Sequence, residues 1–122
     1  MSEAAQDFEE IKRIASGGSD DERIALAGRA DVPPELLYFL AEDGCAGVRR
    51  AVAQNPATPR QADLVLSQDT DIGVRCLLAR KIVGEGLGED ERGQLWRMGF
   101  TILETLMRDQ SLRVRRALTD AI

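Results

Sequence analysis

Apolar residues recur along the chain at the spacing of short amphipathic α-helices. In VRRAVA and VRCLLA, which begin at Val48 and Val74, the apolar side chains stand at positions i, i+3 and i+4 and share one helical face. Pro56 marks the end of the first of these helices, because the residue before a proline avoids the α region. Pro33 and Pro59 each stand near the first turn of a following helix, where the missing N–H does no harm. The pattern predicts pairs of short α-helices.

These helix pairs repeat with a period of 26 residues. A shift of 26 residues brings Arg23, Arg49 and Arg75 into register, and a further shift of 40 residues adds Arg115. The 14 extra residues of that longer step fall around VGEGLGED, which is predicted as a loop between helices. A single short helix pair cannot bury enough apolar surface to be stable, whereas stacked pairs can. Four units in register therefore predict an all-α, right-handed α-solenoid.

The repeat also sets the predicted organisation of the chain. Residues 1–18 are expected to form an N-terminal capping helix, and Ser19 is the predicted N-cap of the helix that follows. The solenoid domain covers residues 19–122, with units near 19–43, 44–69 and 70–109 and a partial unit at 110–122. Apolar faces are predicted at Ala4, Phe8, Ile11, Ile14 and Ala15 in the capping helix, at Leu36, Phe39 and Leu40 in the second helix of the first unit, and at Val65 and Leu66 in that of the next unit.

An aspartate stands six residues before an arginine in three of the four units. The pairs are Asp43 with Arg49, Asp69 with Arg75, and Asp109 with Arg115. In a stacked array we expect these side chains to form a structural ladder at the turns between units, because an arginine fork can bond both a carboxylate and the carbonyls at a helix end. The alternative is that the arginines form a row that binds an anion.

Two stretches carry a resemblance to known repeats. VRRAVAQNPATPRQADLVLSQDTDIGVRCLLARKI resembles the leucine-rich-repeat-variant and HEAT-like repeats of bacterial α-solenoids. LETLMRDQSLRVRRALTDAI is similar to an uncharacterised bacterial family of the same kind, known as a domain of unknown function. The resemblance covers roughly residues 19–122 and implies the fold, while saying almost nothing about activity. The iron–sulfur module of some variant-repeat proteins needs a cysteine cluster, which Cys45 and Cys76 do not provide, so we expect no cofactor.

Residues 89–108 predict a helix with two apolar stripes. The first stripe, which is sufficient to join the core, consists of Leu95, Met98, Ile102 and Leu106. The second consists of Trp96, Phe100, Leu103 and Met107. This second stripe is either buried as well or forms a contact surface anchored by Trp96, since aromatic residues and methionine are enriched at interface centres. The predicted partner-binding residues are Trp96, Phe100, Leu103, Met107, Tyr38, Arg50 and Arg60.

Composition and charge narrow the possible functions. The chain has no histidine, which removes the commonest general base and metal ligand, and no nucleophile motif or phosphate-binding loop is present. The net charge of −5 disfavours a general nucleic-acid binder, although residues 92–122 hold six basic and three acidic groups. The N-terminus carries no secretory signal, and no apolar run approaches a membrane span of about 20 residues. A cytoplasmic protein without catalytic or metal-binding residues is therefore expected.

The leading interpretation is a non-catalytic protein–protein interaction module or scaffold, which presents a curved helical surface to a partner protein or peptide within a regulatory system. One alternative is nucleic-acid binding through the rows of arginines. Another is a structural oligomerisation domain, with self-association through the C-terminal helices, because residues 1–43 carry a net charge of −7 and residues 92–122 one of +3.

Overall fold

A computed structural model describes the backbone of residues 3–85 and 94–120, and the side chains of residues 7–85 and 97–120. Within these residues the protein is all-helical, with eight helices packed together. The helices are α1 (Glu3–Gly17), α2 (Asp20–Ala27), α3 (Pro34–Leu40), α4 (Ala46–Gln54), α5 (Arg60–Leu66), α6 (Ile72–Glu85), α7 (Gln94–Met107) and α8 (Leu112–Asp120).

The helices contact one another in two series. Helices α2, α4, α6 and α8 pack side by side in that order and form the first layer. Helices α1, α3, α5 and α7 do the same and form the second layer. Each helix of one layer also contacts its chain neighbours in the other layer. An alternation of this kind lets each short helix bury one face against the opposite layer.

Local sequence signals determine where several helices begin. Ser19 is the N-cap of α2, as predicted, and forms a capping box with Glu22. The Ser19 hydroxyl accepts from the Glu22 N–H at 3.2 Å, while the Glu22 carboxylate accepts from the Ser19 N–H at 3.1 Å. Pro33 and Pro59 directly precede α3 and α5, also as predicted. These helix starts depend only on residues close in the chain, and for that reason they could be predicted from the sequence.

The core between the layers is aliphatic. It contains the predicted apolar face of the first helices, in which Val48, Val52, Val74 and Leu78 are fully buried. Leu40 and Leu66 lie opposite in the second layer and are fully buried as well. The other large side chains that are fully buried are Leu26, Leu37, Ile82, Ile102, Leu106 and Val114. Burial of such side chains stabilises the fold by roughly 1.5–3 kcal/mol each.

Three predicted core positions in the second layer are wrong. Phe8, Phe39 and Val65 are largely exposed. In α3 the buried stripe is Leu37, Leu40 and Ala41, at i, i+3 and i+4, and Phe39 lies about 200° round the helix from Leu37. In α5 the buried stripe is Ala62 and Leu66 at i and i+4, which turns Val65 towards solvent. In α1 burial is confined to Ile11 and Ala15, with Ile14 half-buried, and the Ala4 side chain is outside the described part.

The first three residues of the stretch VGEGLGED, which is predicted as a loop, are helical. Helix α6 continues to Glu85, because Ile82 is buried in the core and Glu85 reaches Arg60 of α5 at 3.3 Å. The remainder of that stretch, and the first five residues of the helix predicted at 89–108, lie outside the described residues. From Gln94 onward the predicted helix is observed as α7.

Candidate functional site

The arginines of the first three units are each bound on two sides. Arg49 donates from Nε and from one terminal nitrogen to the two carboxylate oxygens of Asp69, at 2.8 and 3.3 Å. Its other terminal nitrogen donates to the backbone carbonyl of Asp43 at 2.8 Å. The guanidinium thus links the turn before its own helix to the turn before the next helix of the first layer. The hydrogen bond to Asp69 also raises the pKa of Arg49 above its ordinary value.

The same arrangement recurs along the first layer. Arg23 binds the carboxylate of Asp43 at 2.9 and 3.2 Å and the carbonyl of Gly18 at 2.6 Å. Arg75 binds the carboxylate of Asp109 at 2.7 and 3.3 Å and the carbonyl of Asp69 at 2.6 Å. At the end of the series, Arg115 donates to the carbonyl of Asp109. We call this series, from Gly18 to Arg115, the arginine–aspartate ladder.

The partners within the ladder differ from the pairs read in the sequence. An aspartate six residues before an arginine offers that arginine its backbone carbonyl, and its carboxylate is bound by the arginine that stands 20 or 34 residues earlier in the chain. Each carboxylate also accepts the backbone N–H two residues further on. These N–H donors are those of Cys45, Asp71 and Ser111, at 2.8 to 2.9 Å. Each ion pair therefore joins an arginine near the start of a unit to the aspartate at the end of the same unit, and the backbone carbonyl of that aspartate is bound by the arginine of the next unit.

Solvent screens the ion pairs of the ladder only weakly, because these side chains are mostly buried. Partial burial alone raises the pKa of Asp43, but the hydrogen bonds from Arg23 and from the Cys45 N–H outweigh it, and the pKa lies below its ordinary value. The donors of Arg23, Arg49 and Arg75 are occupied by carboxylates and carbonyls of the chain itself. This arrangement leaves them poorly placed to bind an external anion.

A second row of polar contacts lies at the opposite ends of the first-layer helices, and sequence reasoning missed it. The Asn55 amide donates to the carbonyls of Ala27 and Arg29 at 2.8 and 2.9 Å. The Lys81 ammonium donates in turn to the carbonyl of Asn55 at 3.1 Å. Arg29, Asn55 and Lys81 are 26 residues apart, so each donor reaches the backbone of the equivalent residue one unit earlier. The repeat register was the signal that could have revealed them.

Lys81 also belongs to a buried charge cluster between α5 and α6. Its ammonium contacts the Asp63 carboxylate at 2.6 Å, and Arg60 contacts the same carboxylate at 3.3 Å. Burial raises the pKa of Asp63 to about 6, although Lys81 and Arg60 act in the opposite direction. Burial likewise lowers the pKa of Lys81. Because the cluster is closed to solvent, Asp63 is not accessible to a substrate.

The two arginines predicted to contact a partner behave differently. Arg60 is mostly buried and pairs with Asp63 and Glu85, so its expected place on the open surface is corrected. Packing of α5 against α6 draws its guanidinium into the charge cluster. Arg50 is half-exposed and binds Asp71 at 2.7 and 3.2 Å. The hydrogen bond to Asp71 raises the pKa of Arg50.

The apolar residues predicted to contact a partner are exposed for the most part. Phe100 and Met107 of α7 and Tyr38 of α3 have substantial exposed surface. Leu103 is half-buried and packs against the core instead. The side chain of Trp96 is outside the described residues. In the other predicted stripe of α7, Ile102 and Leu106 are fully buried, Met98 is half-buried, and the Leu95 side chain is again outside the described part.

Three further observations bear on chemistry. Cys45 and Cys76 are free thiols, and Cys76 is buried. Among the described residues no group of acidic or cysteine side chains could hold a metal ion. None of the helices in residues 3–85 and 94–120 is long and apolar enough to cross a membrane.

No protein-family model, curated protein or solved structure matches this chain.

Proposed function

We propose that this chain is a non-catalytic protein–protein interaction module built as a right-handed α-solenoid with a period of about 26 residues. The two-layer packing and the arginine–aspartate ladder support a rigid repeat array, like the HEAT-like and leucine-rich-repeat-variant arrays that the sequence resembles. A ladder of this kind holds successive helix pairs in one orientation. The function would then be to present a preformed cytoplasmic surface to a partner protein within a regulatory system.

The observation that carries this proposal is the exposure of large apolar side chains on three helices of the second layer. We call this set the outer apolar face; it consists of Tyr38, Phe39, Val65, Phe100 and Met107. Phe100 is 44% and Met107 is 60% exposed. Aromatic residues and methionine bury much surface when a partner covers them, and they are enriched at interfaces. These residues lie on α3, α5 and α7, which are neighbours in the layer.

Nucleic-acid binding through the arginine rows is the weaker candidate. Phosphate contacts need guanidinium donors that are free to leave their present partners. In the ladder these donors hold carboxylates of the protein, and removing them would leave the aspartates unpaired in a largely buried position. The net charge of −5 adds a long-range repulsion to any polyanion.

The test is affinity capture from a cell lysate with the full chain and two matched variants. Phe100→Ser/Met107→Ser removes two side chains of the outer apolar face. The control Phe8→Ser/Leu112→Ser removes two apolar side chains outside this face that have similar exposure, 42% and 51%. We expect the wild type and the control to retain the same discrete protein, and the Phe100/Met107 variant to lose at least nine-tenths of it, roughly the effect of 1.4 kcal/mol.

Nuclease treatment and light scattering complete the test. Recovery that disappears after nuclease would identify a nucleic-acid binder. A wild-type chain that forms a defined oligomer, and a Phe100/Met107 variant that is monomeric, would identify the face as a contact between copies. Equal recovery by both variants would refute the outer apolar face as the binding surface.

A further inference from the structure

A second surface, on the first layer, has a different chemical character. A groove of about 830 Å³ crosses α6 between α4 and α8. Its lining contains four arginines and two aspartates, a net charge of +2 on a chain whose overall charge is −5. We call it the basic groove; its arginines are Arg50, Arg80, Arg113 and Arg116. Its volume lies in the range of pockets that bind small molecules or peptide side chains.

The repeat register explains why a hollow exists there. Arg50 of α4 and Arg116 of α8 occupy equivalent positions, and the equivalent residue of α6 between them is Cys76. A small side chain in the middle helix leaves space between two long ones. Gly73 makes room for the Arg50 side chain at the edge of the groove, because a Cβ at this position would lie only 2.9 Å from Nε of Arg50. The bottom of the groove is thus formed by small and partly apolar side chains, and arginines line its two sides.

Three of these arginines make no ion pair with any described residue. Arg80, Arg113 and Arg116 are exposed, and no carboxylate in residues 7–85 or 97–120 lies within salt-bridge distance of them. This contrasts with Arg23, Arg49 and Arg75 of the ladder, each of which is paired with a carboxylate of the chain. Arg113 and Arg116 are three residues apart on α8 and therefore share a face with one another. Within the described residues, no carboxylate competes with an external acceptor for their donors.

The shape and charge of the groove favour one kind of occupant. Unpaired guanidinium groups bind carboxylates in a bidentate manner, and the side chains of Leu77 and Ala117 offer apolar contact beside them. Asp71 and Asp120 also line the groove and would repel a continuous phosphate backbone, whereas a peptide can place its carboxylates apart from them. The complement is a short protein segment with two or more carboxylates and an apolar side chain between them.

We propose that the basic groove binds an acidic segment of a partner protein, with Arg80, Arg113 and Arg116 as the residues that hold its carboxylates. Leu77 and Ala117 contact the apolar side chain of the segment, and Arg50 remains paired with Asp71 at the edge of the groove. The site lies on the first layer and does not depend on the outer apolar face. The two surfaces can therefore be tested separately.

The probe is a randomised dodecapeptide library displayed on phage, selected on the full chain, with selected peptides then labelled for fluorescence anisotropy. The test variant is Arg80→Gln/Arg113→Gln. The control, Arg97→Gln/Arg108→Gln, removes the same charge from two exposed arginines, one in α7 and one directly after its last residue. If both variants unfold close to the wild-type thermal midpoint, a loss of peptide affinity in either variant does not arise from misfolding.

We expect the selected peptides to carry at least two carboxylates. Their Kd should rise at least about tenfold in Arg80→Gln/Arg113→Gln and less than about twofold in the control, because a hydrogen-bonded charge pair contributes about a factor of ten or more. Peptides without acidic residues, or equal losses in both variants, would overturn the proposal. Tighter binding of a short DNA duplex to the same residues would overturn it too, in favour of a nucleic acid.

The outcomes also separate this inference from the protein-binding function. Peptides that bind the Arg80/Arg113 variant unchanged but lose affinity for Phe100→Ser/Met107→Ser would refute the basic groove and support the outer apolar face. If acidic peptides depend on the groove and no protein is captured through the outer apolar face, the basic groove is supported and the outer apolar face is refuted.

Discussion

Arg49 and Arg50 are adjacent residues of α4 with the same helix propensity, yet they have different surroundings. The Arg49 side chain is 16% exposed and pairs with Asp69, which is 8% exposed. The Arg50 side chain is 49% exposed and pairs with Asp71. Replacing each arginine with alanine therefore compares a ladder contact with a surface contact at nearly one position. We expect Arg49→Ala to destabilise the fold far more than Arg50→Ala.

The magnitude follows from what Arg49→Ala leaves behind. Three hydrogen bonds are lost, two to the Asp69 carboxylate and one to the Asp43 carbonyl. Breaking a fully buried ion pair costs about 3–5 kcal/mol, and the remaining exposure of this pair reduces the cost. Asp69 also keeps the N–H of Asp71 as a partner. We therefore expect a loss of about 2–3 kcal/mol for Arg49→Ala, which corresponds to a decrease in Tm of about 10 °C for a domain of this size.

Arg50→Ala should change the Tm by only a small fraction of that amount, because water replaces the lost partner at an exposed ion pair. Thermal and urea unfolding, followed by far-UV circular dichroism, measure both effects. A double-mutant cycle between Arg49 and Asp69 isolates the pair and should give a coupling of about 1 kcal/mol or more. Equal midpoints for the two single variants would refute the structural account of the ladder and reopen the anion-binding interpretation of its arginines.

Four other substitutions test separate parts of the structure. Lys81→Met leaves Asp63 buried without its ammonium partner. The pKa of Asp63 is already raised from 3.8 to about 6 in the folded protein, so the folded protein binds this proton more tightly than the unfolded chain does. The carboxyl group therefore favours folding at low pH and loses that contribution as the pH rises. Relative to the wild type, the variant should therefore lose about 3–5 kcal/mol of unfolding free energy near pH 8 and clearly less near pH 5, in urea titrations at both pH values; a loss independent of pH contradicts this. Ser19→Ala removes the capping box of α2 and should cost about 1 kcal/mol, measured by the same titration. Gly84→Ala should stabilise α6 by about 0.5–1 kcal/mol, since a Cβ there meets nothing within 4 Å. Gly18→Ala should destabilise the fold by about 1–3 kcal/mol, since its Cβ would lie 2.8 Å from the Ile14 carbonyl oxygen. The opposite order of Tm values would contradict the backbone geometry.

The candidate binding residues show which parts of a binding site can be predicted from a sequence pattern. The two stripes of α7 were separable from their spacing, and Ile102 and Leu106 are buried while Phe100 and Met107 are exposed. The same reasoning misplaced Arg60, because an arginine near the start of α5 gives no sign that α6 will pack beside it and bring Glu85 into contact with its guanidinium. Burial of a charged side chain depends on the neighbouring helix and is invisible in one helix alone.

The sequence by itself determined the helices, their starts at Ser19, Pro33 and Pro59, and the register in which arginines and aspartates recur. These features rest on contacts within a few residues or on the period of the chain. Only the tertiary structure decided which groups meet. Arg49 binds an aspartate 20 residues away and Arg75 one 34 residues away, with Nε to carboxylate distances of 2.8 and 2.7 Å. The basic groove arises in the same way, since it needs small side chains on one helix between long ones on its two neighbours, and only packing brings those three helices together.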